Sequence, residues 1–139
     1  MIQDIIISIK PCFSNEIYSG KKSVELRKHV GRSFINNSKM YIYSSSPNQE
    51  ISGHAFIKSV QILPVLEIRR KYLTEACISP DTFDRYYSGH QKGVLIWLKG
   101  VVKYQNPITL AQLKSNGFTA PQSFCYVTGE VKELLESTL

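Results

Sequence analysis

The segment Gly20-Lys21-Lys22-Ser23-Val24-Glu25-Leu26-Arg27 runs from a glycine turn into alternation of apolar and charged side chains. Val24 and Leu26 fall on one side of an extended chain and Glu25 and Arg27 on the other, which is the period of a strand and not of a helix. The spacing predicts a strand over residues 23–28, with Val24 and Leu26 buried and Glu25 and Arg27 toward a cleft or solvent. Upstream, Ile5, Ile6, Ile7 and Ile9 make a nearly continuous β-branched run, so residues 4–9 read as a buried strand. Between the two strands Pro11 opens a short helix at the N1 position, Phe13 and Ile17 share one of its faces, and Gly20 supplies the left-handed residue that ends it.

Downstream, residues 31–39 form a polar loop, residues 40–43 a third strand and residues 44–48 a turn. Residues 51–63 read as a long strand in which Gly53 marks a bulge or a close backbone approach. Pro64 starts a helix with Val65, Ile68 and Tyr72 on one face. A second helix has Ser79 as N-cap, Pro80 at N1 and Phe83, Tyr86 and Tyr87 as its apolar face, and Gly89 closes it. Residues 93–99 read as a buried strand, with pairing resumed over 101–104. Residues 109–113 form a short helix or turn, 124–127 a last strand and 130–139 a terminal helix with Val131, Leu134 and Leu135 inward. Six or seven short strands with helices inserted lack the βαβ alternation of a parallel sheet. They predict an α+β fold: a small, mostly antiparallel barrel with helices packed around it.

The chain has 139 residues, 42% hydrophobic and 20% charged, which predicts one domain over residues 1–139 and excludes general disorder, collagen and coiled coil. No apolar run approaches the roughly 18 residues of a membrane span. Asp4 stands where a signal peptide would be basic, so a cytoplasmic location is expected. Cys12, Cys77 and Cys125 are odd in number and lack CxxC spacing, and His29, His54 and His90 form no HExxH motif. No metal site, disulfide framework or cofactor is expected, and no P-loop, GxGxxG or GxSxG segment is present. The net charge is +6, and residues 1–40 hold seven basic side chains against three acids (Asp4, Glu16, Glu25). Such a patch favours polyanions such as RNA or DNA.

Three constellations can carry chemistry. On the strand at 23–28, Lys22 and Arg27 can hold a phosphate, while Glu25 accepts from an amino group or acts as general base. The alternative is a solvent-facing strand with an ordinary Glu/Arg pair. Tyr41 and Tyr43 can stack bases beside Ser44-Ser45-Ser46, whose hydroxyls and turn amides suit a phosphate; they can equally be a tyrosine-rich strand and a polar turn. In Pro121-Gln122-Ser123-Phe124-Cys125-Tyr126, Gln122 can read a base edge, or the loop can plug one end of the barrel with Phe124.

At these places the sequence resembles the ASCH family of the PUA-like superfamily. The matching pieces run in order: Ser8-Ile9-Lys10-Pro11, Gly20 through Lys28, Tyr41 through Pro47, Gly53, and Pro121 through Tyr126. The resemblance is to the small stand-alone subgroup, whose relatives are described as transcriptional regulators. It implies a PUA-like β-barrel with a cleft that binds RNA, a nucleotide or a modified base. One ASCH branch is an amidohydrolase acting on N4-acetylcytidine through a lysine, a threonine and a glutamate. Lys22 falls at the lysine and Glu25 at the threonine, and the stretch after Gly53 reads His54-Ala55-Phe56-Ile57 where the glutamate is expected.

The expectation is a binding module for RNA, other nucleic acid or a modified nucleoside. Lys10, Lys21, Lys22 and Arg27 meet phosphate, and Glu25, Tyr43, Ser45, Gln122 and Ser123 contact the ligand. The alternative is a hydrolase, an amidohydrolase or ribonuclease with Lys22 and Glu25 as the acid–base pair. Lys22, Glu25 and Arg27 are expected to converge with the loop at 121–124. Glu25→Gln is expected to weaken binding with little effect on stability.

Overall fold

The computed structural model describes residues 2–138. β1 (Ile5–Ile9) leads into α1 (Pro11–Tyr18), β2 (Val24–Arg27), β3 (Lys39–Ser44) and β4 (Glu50–Pro64). The short helices α2 (Val65–Lys71), α3 (Leu73–Ala76) and α4 (Pro80–Tyr86) follow, then β5 (Lys92–Thr109), α5 (Leu110–Lys114), β6 (Phe124–Tyr126) and α6 (Gly129–Thr138). The strands form one sheet in the order β2-β5-β4-β3-β1-β6, curled into a half-barrel with the helices around it. Every pairing is antiparallel except β1 with β3, which the α1–β2 crossover makes parallel.

Local chemistry accounts for most elements. Pro11 occupies the first turn of α1, and Gly20, at φ 85°, follows its C-cap. Ser79 Oγ accepts from the Thr82 amide and Pro80 begins α4. Thr109 and Gln112 close a capping box on α5. At Gly53 the register of β4 shifts, and a Cβ would lie 2.2 Å from the Val102 carbonyl oxygen, so the bulge and the close approach coincide. β5 differs from the expected pair of segments: it is one 18-residue strand running through Gly100.

Alternation sorts the side chains into layers. Ile5, Ile7, Ile9, Met40, Ile42, Ala55, Ile57, Val94 and Ile96 fill the inside of the half-barrel. Ile6, Tyr41 and Tyr43 point to the opposite face, where Leu113 of α5 and Val131 and Leu135 of α6 cover them. Val24 and Leu26 pack outward against Ile68, Ala76, Phe83 and Tyr87. The expectation for residues 23–28 therefore holds in its alternation, and the other face of β2 turns to the barrel interior. Glu25 pairs with Ile96 and Arg27 with Val94, both inner-layer residues, and directly opposed residues share a face.

Candidate nucleic-acid pocket

Lys22 reaches this interior because the chain around it is tied down. The amides of Lys21 and Lys22 both donate to the Glu16 carbonyl, and the Ser23 amide donates to that of Glu75. With the backbone so held, Lys21 points to solvent and Lys22 inward. Lys22 Nζ donates to the Ala76 carbonyl at 2.6 Å, lies 3.3 Å from Glu25 Oε1 and sits 5.0 Å from the centre of the Phe13 ring.

Glu25 is the centre of the arrangement. Arg27 Nε and Nη2 both donate to its Oε2, at 2.9 and 2.6 Å. The side chains of Lys22, Glu25 and Arg27 are 3%, 9% and 13% exposed, so this is a buried triad and not a surface pair. Burial alone would raise the Glu25 carboxyl, but the charges of Arg27 and Lys22 and their hydrogen bonds hold it below the usual glutamate range. Arg27 does more than pair. Its Nη2 donates to the Ser8 carbonyl at 2.6 Å and its Nη1 to Ser123 Oγ at 3.3 Å, joining the β2 edge to β1 and to the chain entering β6. Ser8 Oγ in turn donates to the Pro121 carbonyl at 2.7 Å, and Tyr87 Oη donates to the Arg27 carbonyl at 2.9 Å. The expected convergence of residues 22–27 with the late loop is therefore observed.

Over the triad opens a cavity of about 740 Å³, walled by Lys10, Ser45, Gln49, Thr82, Arg85, Tyr86, Pro121 and Gln122, among others. Four cations (Lys10, Lys22, Arg27, Arg85) face it with one carboxylate, Glu25. Lys10 and Arg85 make no ion pair among the described residues, whereas Lys22 and Arg27 share Glu25. The unpaired cations thus sit at the mouth, and the base holds a paired cluster with one net positive charge.

Several expected positions stand elsewhere. Lys21 is exposed and lies outside the cavity wall. Ser123 is also absent from the wall and acts through its bond from Arg27. Tyr43 touches the cavity, but its ring is buried against Phe118 at 5.7 Å between centres, so it is a wall and not a free stacking platform. Tyr41 is core, and Phe124 packs on Phe34. Glu25 is the one carboxylate set against two buried cations, so the burial argues against the expectation that Glu25→Gln spares stability. Glu25 is the one carboxylate lining the cavity among the described residues, and His54, in the stretch after Gly53, bonds to Tyr104 outside it. Thr82, Arg85 and Tyr86 had no sequence signal as ligand contacts. They sit three and four residues apart on one face of α4, a face indistinguishable in sequence from a solvated one.

The mixed half-barrel has the ASCH/PUA-like α+β fold. The chain is 28% identical over 137 residues to the "ASCH domain-containing ribonuclease" of Zymomonas mobilis, covering 97% of this chain and 91% of that protein. A crystal structure of ASCH from Zymomonas mobilis superposes with a TM-score of 0.89 at 28% identity, over 98% of this chain and 95% of that one. The N-terminal domain of Staphylothermus marinus McrB shares the fold, with a TM-score of 0.65 at 17% identity over 99% of this chain and 95% of that one. The chain belongs to the family described as "Domain of unknown function (DUF365)", whose model matches residues 2–117. No described helix is long and apolar enough to cross a membrane.

Proposed function

We propose that this domain binds single-stranded RNA, seating a nucleotide in the cavity with its phosphate between Lys10 and Arg85. The observation that carries the reading is the surplus of cations over the single carboxylate in a cavity sized for a small ligand. Gln122 and Ser45 offer donors and acceptors to a base edge, and Tyr86 a half-buried ring. The buried triad positions the walls and makes the base of the site electropositive. The transcriptional-regulator role of the small stand-alone subgroup would be exercised through the same contact.

The test is fluorescence anisotropy of labelled RNA across a salt series, with DNA of the same sequence and N4-acetylcytidine as competing ligands. Affinity should fall with salt at a log–log slope of roughly −0.7 per phosphate neutralised. The double variant Lys10→Ala/Arg85→Ala should make that slope shallower by about 0.7, for the one phosphate they share. A variant with the wild-type slope removes the cavity from the reading.

A second reading, RNA cleavage, is favoured by the description of the Zymomonas mobilis relative. Lys22 is an awkward general acid or base, since its ammonium is already engaged by Glu25 and the Ala76 carbonyl. Arg85, free of any carboxylate among the described residues, is better placed to meet charge developing on the phosphoryl oxygens. In this reading labelled RNA yields defined products with the wild type, and Arg85→Ala slows their appearance at saturating protein. Intact RNA after prolonged incubation with the wild type would leave binding alone.

A further inference from the structure

The outer face of β3, β4 and β5 carries a basic and aromatic row that the cavity does not use. Lys39 is directly opposite Phe56, and Phe56 is directly opposite Lys99, so the three side chains share one line across the sheet. The next line is Tyr41, His54 and Val102. The His54 ring stands 5.5 Å from that of Phe56 and 5.5 Å from that of Tyr104, whose hydroxyl it bonds at 2.6 Å. Lys39 Nζ lies 4.8 Å from the centre of the Tyr41 ring, and Lys99 bonds Asn37. Neither lysine has a carboxylate partner among the described residues. Burial, and then the charge of Lys39, lower the His54 value, which leaves a flat neutral ring at neutral pH.

The helices leave this end of the face open. α5 and α6 cover Tyr41 and Tyr43, but Phe56, His54 and Tyr104 remain half-exposed and Lys99 and Val102 exposed. Rings flanked by unpaired cations, with no acid among them, match the chemistry of a single-stranded polyanion whose bases stack. A protein partner would need an acidic surface to meet Lys39 and Lys99, whereas a single strand brings phosphates for the lysines and bases for the rings together.

We infer that Lys39, Phe56 and Lys99, with His54 and Tyr104 beside them, form a second contact surface for single-stranded RNA, separate from the cavity. Lys39, at the start of β3, and Ser44, at its end beside the cavity-lining Ser45, are five residues apart, which is roughly 17 Å of extended chain. A dinucleotide filling the cavity does not span it. A strand of about 16 nucleotides, the upper end of the site sizes of single small domains, does.

The experiment compares a labelled dinucleotide with an oligouridylate of about 16 nucleotides. Lys39→Ala/Lys99→Ala should make the salt slope of the long RNA shallower by about 1.4 while leaving the dinucleotide unchanged. Phe56→Leu keeps an apolar side chain over Gly100 but removes the ring face, and should weaken the long RNA at least about fivefold. Wild-type binding of the long RNA by both variants overturns the inference, as does equal weakening of dinucleotide and long RNA, or a wild-type protein that binds neither. If Lys10→Ala/Arg85→Ala leaves dinucleotide binding intact while the effects of Lys39, Lys99 and Phe56 persist, the cavity reading fails and this surface stands.

Discussion

Glu25→Gln should destabilise the fold by about 3–5 kcal/mol, the range for removing one member of a buried ion cluster. The amide has nearly the shape of the carboxylate, so the cost is electrostatic. Lys22 and Arg27 would remain in the interior with no counter-charge, and the amide NH2 would add a donor where two donors already meet. Against a total stability of about 5–15 kcal/mol for a domain, that is a large fraction, read as a lower urea midpoint at unchanged slope. Adding Lys22→Met removes one of the stranded cations, so the double variant should recover more than about 1 kcal/mol relative to Glu25→Gln alone, a coupling that a double-mutant cycle isolates. The pH dependence follows from the lowered carboxyl. Its stabilisation is complete above the ordinary glutamate value of 4.5 and is lost as the pH falls through the lower folded-state value. The gap between wild type and Glu25→Gln should therefore narrow below pH 4.5. A single variant within about 1 kcal/mol of wild type at neutral pH would mean that the triad does not hold the mouth together.

What could be read from the residues was local. Pro11, Gly20 and Ser79-Pro80 each fix a chain end by their own geometry, and each stands where expected. The alternation Val24-Glu25-Leu26-Arg27 separates two faces with certainty but cannot say which faces the barrel, because both are buried, one by helices and one by the pocket wall. The same ambiguity misplaced the tyrosines. In Met40-Tyr41-Ile42-Tyr43 either set can be the inner one, and only the pairing of β3 with β1 and β4 puts Met40 and Ile42 inside and the rings under α5 and α6. The parallel pairing of β1 with β3 and the contribution of α4 to the cavity join segments far apart in the chain, and no local periodicity encodes them. Lys22, Glu25, Arg27 and Gln122 were legible beside the tight entries at Gly20 and Pro121, and Ser45 in the polar turn after β3, and all five line the cavity. Arg85 was not, because a charged side chain on a short helix looks the same whether it faces water or a ligand.

Arg27→Lys keeps the charge and should nevertheless cost about 1.5–3 kcal/mol of stability, the value of a hydrogen bond to a charged group. The guanidinium is used as a fork: Nε and Nη2 grip Glu25 Oε2, Nη2 also reaches the Ser8 carbonyl, and Nη1 reaches Ser123 Oγ. An ammonium is one point with three donors, and it cannot cover positions that the planar fork spans on three segments of chain. Glu25 keeps a cation nearby and Lys22 is untouched, so the loss should be smaller than for Glu25→Gln. The link it loses is the one between the β2 edge and the approach to β6, and with it the placement of Pro121 and Gln122 on the cavity wall. RNA affinity should fall about tenfold or more, corresponding to the same 1.5–3 kcal/mol range, while the salt slope stays at its wild-type value because no phosphate-facing charge has been removed. Because lysine keeps the charge, reduced affinity at an unchanged slope reads as lost hydrogen-bond geometry and not as lost charge. Isothermal titration or anisotropy at several salt concentrations reads both quantities, and a shallower slope in Arg27→Lys would show the guanidinium to be a phosphate ligand in its own right. Wild-type affinity and stability together would show that the late loop holds its place without Arg27.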